Sequence, residues 1–567
     1  MPTNWETFPV EVKGGLITNT SPLQQGINLP GSARRLVNFE PSVEGGYRRI
    51  KGFNKFEEDY VPPYGEPLVQ GSGQTGTTLV LANIYTEPEV GDTFTIAGVT
   101  GTYTIDIAGV SYDTNTKTVT LTLTTSLASS PADKALVSFS NKSANLIEGI
   151  IYYNQKSVVY RGSDLWESSG SGWTRINVPV YGTVLVNGGS QTGTSLIVDG
   201  LTSTPQQGDT FTINSVEKVY TVTNTVTVTS GAATLTISPA LASSPADNAS
   251  ITFLSTDRSS GGKHRFSRYN FTGSSKVVAV DGTNKPFVYS GTTFTVLDSA
   301  PSDLLGADHV AEFKNHLFFA NGNNLIFTAP YSDTDFSAAS GGGVVVVPHR
   351  ITGLIVFREQ LIVFSTSKIH RLVGNTISDF QLQPISLDIG CVREDTIQEV
   401  GGDIAFLGPD GIRLLSATDR IGDFGLAVAS RPIQKEVDMF VSGNTSFASC
   451  VVRSKNQYRI FGYSGSKTVS TSPGILGTQF ADQTAQGMAW AEIAGIMVYV
   501  ADSVYSNADS TEVIIFANKD GYVYRMESGN SFNGANIPAY YSTPHFAIND
   551  PRVRKTFYKL TTYVDPE

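Results

Sequence analysis

Asp333 and Asp335 stand two residues apart in the run Tyr331-Ser-Asp-Thr-Asp-Phe336, a polar loop ahead of a Gly-rich stretch. Two such acids can hold a cation or share the proton-transfer and nucleophile roles of glycoside hydrolysis. A solvated turn is the commoner use of the pair, and Asp281-Gly and Asp520-Gly are plain hairpin-turn acids. The six histidines (His264, His309, His316, His349, His370, His545) include no HxH or HExxH spacing, so no helix-borne zinc site is expected. Cys391 and Cys450 form no CxxC pair and no disulfide framework; they read as small buried apolar residues. There is no GxSxG elbow. Gly261-Gly262-Lys263 has Asp257 and His264 where a phosphate loop needs Gly and Ser or Thr. Gly71-Ser-Gly-Gln-Thr-Gly76 matches GxGxxG but runs into a β-branched strand, leaving no helix N-terminus for a pyrophosphate. No calcium-loop spacing occurs. The expectation is a non-enzymatic chain with no cofactor and no metal.

The one basic cluster is Arg34-Arg35 with Arg48-Arg49-Ile50-Lys51. It could touch phosphate or an acidic partner, although turns and salt bridges are the commoner use. The formal net charge of −11 argues against tight DNA wrapping, because phosphate neutralisation drives that affinity. An acidic protein can still guide DNA through a channel with little sticking. Charged residues are 16% of the 567, against about 25% in ordinary domains, so Thr, Ser, Asn and Gly carry the surface. No run of about 18 apolar residues exists, and no membrane-spanning segment is expected. Met1-Pro-Thr-Asn-Trp-Glu has no basic stretch leading into an apolar core, so no export signal is expected. The product is expected in a cytoplasm unless it leaves inside a larger particle.

Alternation of apolar and polar residues dominates the elements. Thr116–Leu123 and Tyr220–Val228 are period-2 runs rich in β-branched residues. Helical spacing is confined to Ser430–Phe440, where Pro432 suits a first turn and Ile433, Val437 and Phe440 share a side. The class is all-β. An internal repeat stands out: GQTGTTLVLANIYTEPEVGDTFTI at 73–96 returns as SQTGTSLIVDGLTSTPQQGDTFTI at 190–213, and LASSPAD recurs at 127–133 and 241–247. Each copy carries five or six strand-like runs, which suits a small β-sandwich (Ig-like) or barrel module inserted into a host domain. The expected organisation is 1–68 N-terminal strands, 69–140 first insert, 141–182 host segment, 183–255 second insert, and 256–567 main host.

The host repeats one plan of two apolar strands around a tight turn. It appears at Leu146–Arg161, Val277–Tyr289, Val310–Phe327, Gly353–Leu372, Asp403–Leu415 and Val513–Arg525. Strand pairs at roughly 35–55-residue spacing predict a β-propeller of six to eight blades, with a chain of several sandwiches as the rival.

Residues 14–56 (GGLITNTSPLQQGINLPGSARRLVNFEPSVEGGYRRIKGFNKF) resemble the opening of tail nozzle proteins of short-tailed, podovirus-type bacteriophages, also called tail tubular protein B or stabilisation proteins. Leu29-Pro-Gly-Ser32, Asn38-Phe-Glu-Pro41 and Arg48/Arg49 before Gly52-Phe53 carry the likeness. Residues 361–415 resemble the family's central stretch, with a hairpin ending Leu372-Val-Gly374, then Gly390-Cys391, then Phe406-Leu407 leading to Gly411-Ile412, and Ser430–Ile433 beyond. The resemblance implies a structural virion protein in the tail, assembled in the host cytoplasm as a homo-oligomer, a hexamer, below portal and adaptor. Its lumen would continue the channel for double-stranded DNA without sequence readout, retaining and then conducting the genome. Tail fibres or other tail proteins would dock outside, on the inserts. Arg34, Arg35, Arg48, Arg49 and Lys51 are then candidate portal-side contacts. Ser332–Val344, with Asp333 and Asp335, and Tyr463–Gln486 are candidate gate loops. The final strand-like segment is Thr556–Val564. The rival functions are a glycan- or host-surface-binding propeller and a propeller glycosidase.

Overall fold

The computed structural model describes residues 8–42, 45–140, 145–256, 258–259, 261–297, 301–416, 428–465, 473–480, 488–508, 510–546, 554, 556 and 559–563. The protein is all-β, with 44% strand and 6% helix.

Among the described residues, seven sheets of the host follow one another along the chain, and the first strand of each lies beside that of a neighbouring sheet. The first comprises Ile147–Tyr153, Lys156–Arg161, Asp164–Ser168 and Trp173–Arg175. The second, third and fourth begin at Arg265–Tyr269, His309–Phe313 and Ile351–Phe357, with four strands each. The fifth has three, Gln398–Val400, Asp403–Gly408 and Gly411–Leu414. The sixth runs from Ser446–Val452 to Ala489–Ala494 and is widened by Arg35–Val37 and Tyr540–Ser542. The seventh holds Val500–Ser506, Thr511–Ala517 and Val523–Met526, and its outer strand is the N-terminal Phe53–Lys55. A strand that precedes both modules therefore completes a sheet formed by residues 500–526.

These sheets pack face to face in a cycle, and the strand sequences show how. In the third sheet Leu317 and Phe319 enter a core shared with the second, while Phe318 and Ala320 enter one shared with the fourth. In the second, Val277 and Ala279 face the first sheet, and Val278 and Val280 the third. In the fourth, Leu361 and Val363 face back, while Ile362 and Phe364 face the fifth. Ile404 and Phe406 face the fourth sheet, whereas Ala405 and Leu407 join the core of the sixth and seventh. Val513, Ile515 and Ala517 of the seventh then meet Ile150 and Val159 of the first. A strand buried on both faces needs a continuous apolar run, which is what these hairpins carry. Four of the first-to-second strand turns have two residues at positive φ: Asn154-Gln155, Lys314-Asn315, Arg358-Glu359 and Gly401-Gly402. That conformation matches the twist of the strands it joins.

The repeat forms two nearly closed, barrel-like sheets of six strands. Module 1 runs from Leu68–Val69 to Val137–Phe139, with Leu68 bridging Leu136 at the seam. Module 2 runs from Gly182–Val186 to Ile251–Ser255, with Leu185 bridging Ser250. Each encloses a core of its own, including Leu79, Phe94 and Leu121 in module 1 and Leu196, Phe211 and Leu235 in module 2.

The predicted helix is present as Gln434–Ser442 after a 3-10 turn at Arg431–Ile433, with Ile433, Val437 and Phe440 buried. Pro22–Asn28 is a helix that the spacing did not announce; Ser21 caps it and Pro22 opens it. Two expectations are corrected. Tyr463–Gln486 is not one loop, because Pro473–Thr478 is a strand paired on both sides; 466–472 and 481–486 lie outside the described residues. In Thr556–Val564 the described residues belong to no strand, and Leu560 and Tyr563 are exposed; 557, 558 and 564 lie outside the described residues.

Candidate functional site

The first strands of all seven sheets border a cavity of about 260 Å³. Its charges come from a few places. Lys263, His264, Arg265 and Arg268 lie at the start of the second sheet, Glu394 and Asp395 in the turn before the fifth, and Asp502 on the seventh. Arg265 is the hub. Its Nε lies 2.8 Å from Asp395 Oδ1, one Nη lies 2.8 Å from Glu394, and the other donates to the Asp308 carbonyl at 2.9 Å. Lys263 Nζ is 2.8 Å from Asp395 and donates to the Phe447 carbonyl at 2.7 Å, reaching the sixth sheet. Arg268 pairs with Asp502, which also accepts the Tyr152 N–H at 2.8 Å. Burial alone would raise Asp395, but Arg265 and Lys263 outweigh it and hold the carboxyl well below the usual range. These groups latch six sheets to one another. Each carboxylate clamps a cation.

Between the first and second sheets lies a second buried cluster. His264 stacks on Tyr160 at 3.6 Å and its Nδ1 is 2.9 Å from the Gly262 carbonyl. Asp281 pairs with Arg258 at 2.9 Å. Burial pushes the imidazole below its ordinary value, against the pull of Asp281, whose carboxylate lies 3.3 Å from Nε2. Glu148, which accepts the Gly261 N–H, is pushed up to about 7 by burial.

The residues singled out from sequence fall in separate places. Asp333 accepts from Tyr269 Oη at 2.7 Å and Lys276 Nζ at 2.8 Å, whereas Asp335 accepts the Ser337 N–H at 2.8 Å inside its own turn. Their bonds lead in different directions, and neither lines the central cavity. Arg34 is half-buried and donates to the Thr20 carbonyl and Gln25 Oε1, fastening the Pro22–Asn28 helix. Arg35 is exposed and lies over the Tyr540 ring. Arg48, Arg49 and Lys51 are exposed, the arginines on a strand paired with Phe39–Pro41. Cys391 and Cys450 are buried free thiols, pushed up by burial to about 11 and about 12. Among the described residues no three His, Cys, Asp or Glu side chains gather as a metal site, and no helix is long and apolar enough to cross a membrane. The cavity network was missed from sequence. Its signal lay in two charged runs, Lys263-His-Arg265 and Arg393-Glu-Asp395, that meet only after seven sheets have formed.

The two modules dock on each other and leave a cleft of about 500 Å³ between them. Thr75, Thr78, Thr116 and Thr118 line one side, Lys218 and Pro239 the other.

Residues 179–255, essentially module 2, match the family model described as distal tail protein pb9, B domain. That match supports a phage tail protein. No curated protein matches the chain. Among solved structures, the computationally designed Ika8 protein is 9% identical over 68% of this chain and 96% of its own, with a TM-score of 0.32. AztD from Citrobacter koseri, in its apo form, is 10% identical over 62% and 92%, with a TM-score of 0.25. At those scores neither carries an argument about fold or function.

Proposed function

We propose that the chain is a non-enzymatic structural subunit of a phage tail, the nozzle of a short tail. Several copies, six on the sequence resemblance, would ring a DNA channel below portal and adaptor. The match of residues 179–255 to a distal tail protein domain supports the tail assignment, and the nozzle role rests on the resemblance of residues 14–56 and 361–415. The seven sheets are then the blades of a propeller, a reading supported by their cyclic packing and by the N-terminal strand in the last sheet. The central cavity bears on the route of the genome. A space of about 260 Å³ crossed by ion pairs holds a few waters, not a duplex. The lumen must therefore lie between copies, with each ring of sheets as a rigid wall element. Exposed Arg35, Arg48, Arg49 and Lys51 are the candidate portal-side patch; Arg34 is withdrawn from it by its bonds to the helix. The modules would face other tail proteins.

A second reading, a glycan-binding tail protein, is favoured by the threonine-lined cleft between the modules. Gold-labelled antibody on particles from a lysate separates the two. Label on the short tail below the portal vertex is the expected result. Label at fibre tips would favour glycan binding, and unlabelled particles beside free protein would remove the structural reading.

A further inference from the structure

The two modules are copies of one another, yet they meet through different surfaces. Module 1 uses its Gln70–Lys134 face. Gln70 donates to the Val219 carbonyl and accepts the Val219 N–H, both at 2.9 Å. Asp133 accepts the Lys218 N–H at 3.0 Å, and Lys134 Nζ donates to the Val216 carbonyl at 2.6 Å. Tyr85 Oη lies 3.0 Å from Thr210 Oγ1. Module 2 answers with the backbone of its 216–219 loop and with three side chains: Glu217 accepts from Ser72, Thr210 donates to Asn83 Oδ1, and Thr221 donates to the Thr116 carbonyl. The contact is head-to-tail, and such a contact can repeat until a ring closes or a filament grows.

Both complementary surfaces recur at the free ends of the pair. The counterpart of the 216–219 loop is Val99–Thr102 in module 1, the opening residues of the strand Val99–Asp113, where Thr100, Gly101 and Thr102 are exposed and Gly101 takes a positive φ as Lys218 does. It offers a segment of the same length, and Thr93 and Thr104 stand where Thr210 and Thr221 stand in module 2. The counterpart face on module 2 is exposed too, and it keeps the scaffold: Asp247 accepts the Gly188 N–H at 2.8 Å, as Asp133 accepts that of Gly71. The long side chains are missing. Asn187 stands for Gln70, Asn248 for Lys134 and Thr202 for Tyr85. Gly200 stands for Asn83, and a Cβ there would lie 2.0 Å from the Thr183 carbonyl oxygen.

We propose that the intermodule contact is a repeatable docking contact, and that Asn187, Thr202 and Asn248 disarm module 2's copy of the face. A second copy's Val99–Thr102 segment is thereby refused, and the arm stops at two modules. The block lies on one side only, since the segment remains competent.

The test restores the face with N187Q/T202Y/N248K in the full chain, leaving Gly200 alone. All three positions are exposed, so folding should match wild type by circular dichroism; N187Q/N248K is the milder variant should the tyrosine disturb it. Sedimentation velocity should show species larger than any wild-type species, growing with concentration. Wild-type chains carry the segment but no armed face, so a tenfold excess should cap the growth and shorten the species. A restored variant that sediments as wild type overturns the proposal. So do large species that excess wild type fails to shorten, because they would be non-specific aggregates.

Discussion

The seven host sheets and the two modules are written in the same alternating code but resolve it differently. In module 1 the strand Thr118–Leu123 buries Val119, Leu121 and Leu123 and shows Thr120 to solvent. In the third host sheet His316–Ala320 is buried at every position, because each face meets another sheet. A module is thus held by one inward core, and a host sheet by two. The difference teaches that alternation marks a strand, whereas what fills the alternate positions tells how many neighbours it has. Threonine at every second place means water on one side; Phe-Phe or Val-Val means protein on both.

The largest expected effect tests that rule directly. Phe318→Ala and Phe319→Ala empty different cores, and each should cost about 3–5 kcal/mol. In module 1 Leu121→Ala should also be costly, about 2–5 kcal/mol, but Thr120→Ala should stay within about 0.5 kcal/mol. Guanidinium unfolding midpoints measure all four. If one of the two phenylalanines proved as silent as Thr120, the two-faced burial of the host sheets would be wrong.

Next comes the hub. Arg265→Ala leaves Asp395 to Lys263 alone and strips Glu394 of its nearest cation, at a cost of about 3 kcal/mol. The same readout with Lys314→Ala, whose partner Glu359 is exposed, should move by less than about 1 kcal/mol.

Two half-buried glutamates give pH dependences of opposite sign. Burial would raise Glu527, but Arg459 and Lys455 overcome it and hold it down at about 2. Its contribution, about 2–3 kcal/mol, is complete above the ordinary glutamate value of 4.5 and is lost as pH falls toward 2. Glu148 is raised to about 7 by burial, so its neutral form is the one that folding favours. Stability from it, again about 2–3 kcal/mol, is complete below 4.5 and is lost as pH rises through 7. Glu148→Gln should flatten thermal stability between pH 5 and 8, leaving the acid limb to Glu527. Unchanged curves for E148Q would show that the carboxyl is not held neutral.

How far the sequence led can be traced to particular residues. The hairpins were legible because both faces are apolar and the runs are short. Their turns were less so: Lys314-Asn315 and Arg358-Glu359 take a conformation that Asn-Gly usually marks, and the closing strand geometry imposes it. The repeat was legible residue by residue, since Gln74 and Gln191 serve one purpose twice. The hub was not. Residues 265, 308, 395 and 502 are brought together only by the order of the sheets, and order leaves no local trace. Tyr463–Gln486 misled because Gly474, Gly477 and polar flanks hide a strand that is central in its sheet. The paired aspartates misled through proximity in sequence alone, since Asp333 turns to Lys276 and Asp335 to its own turn.

The smallest effects separate what the modules share from what they do not. Gln74 donates to the Gln70 and Val80 carbonyls and accepts the Val80 N–H; Gln191 makes the same bonds to Asn187 and Ile197. Gln74→Ala and Gln191→Ala should therefore cost the same, about 1–2 kcal/mol. One position of the pair breaks this equality. Gln70→Ala removes two bonds to module 2 and should cost about 1 kcal/mol, whereas Asn187→Ala, at an exposed face, should stay within about 0.5 kcal/mol. Hydrogen exchange at the Val219 amide is the sharper readout, because Gln70 Oε1 is its acceptor. Faster exchange in Gln70→Ala, with no change in Asn187→Ala, would show that the modules differ in what they dock and not in how they fold.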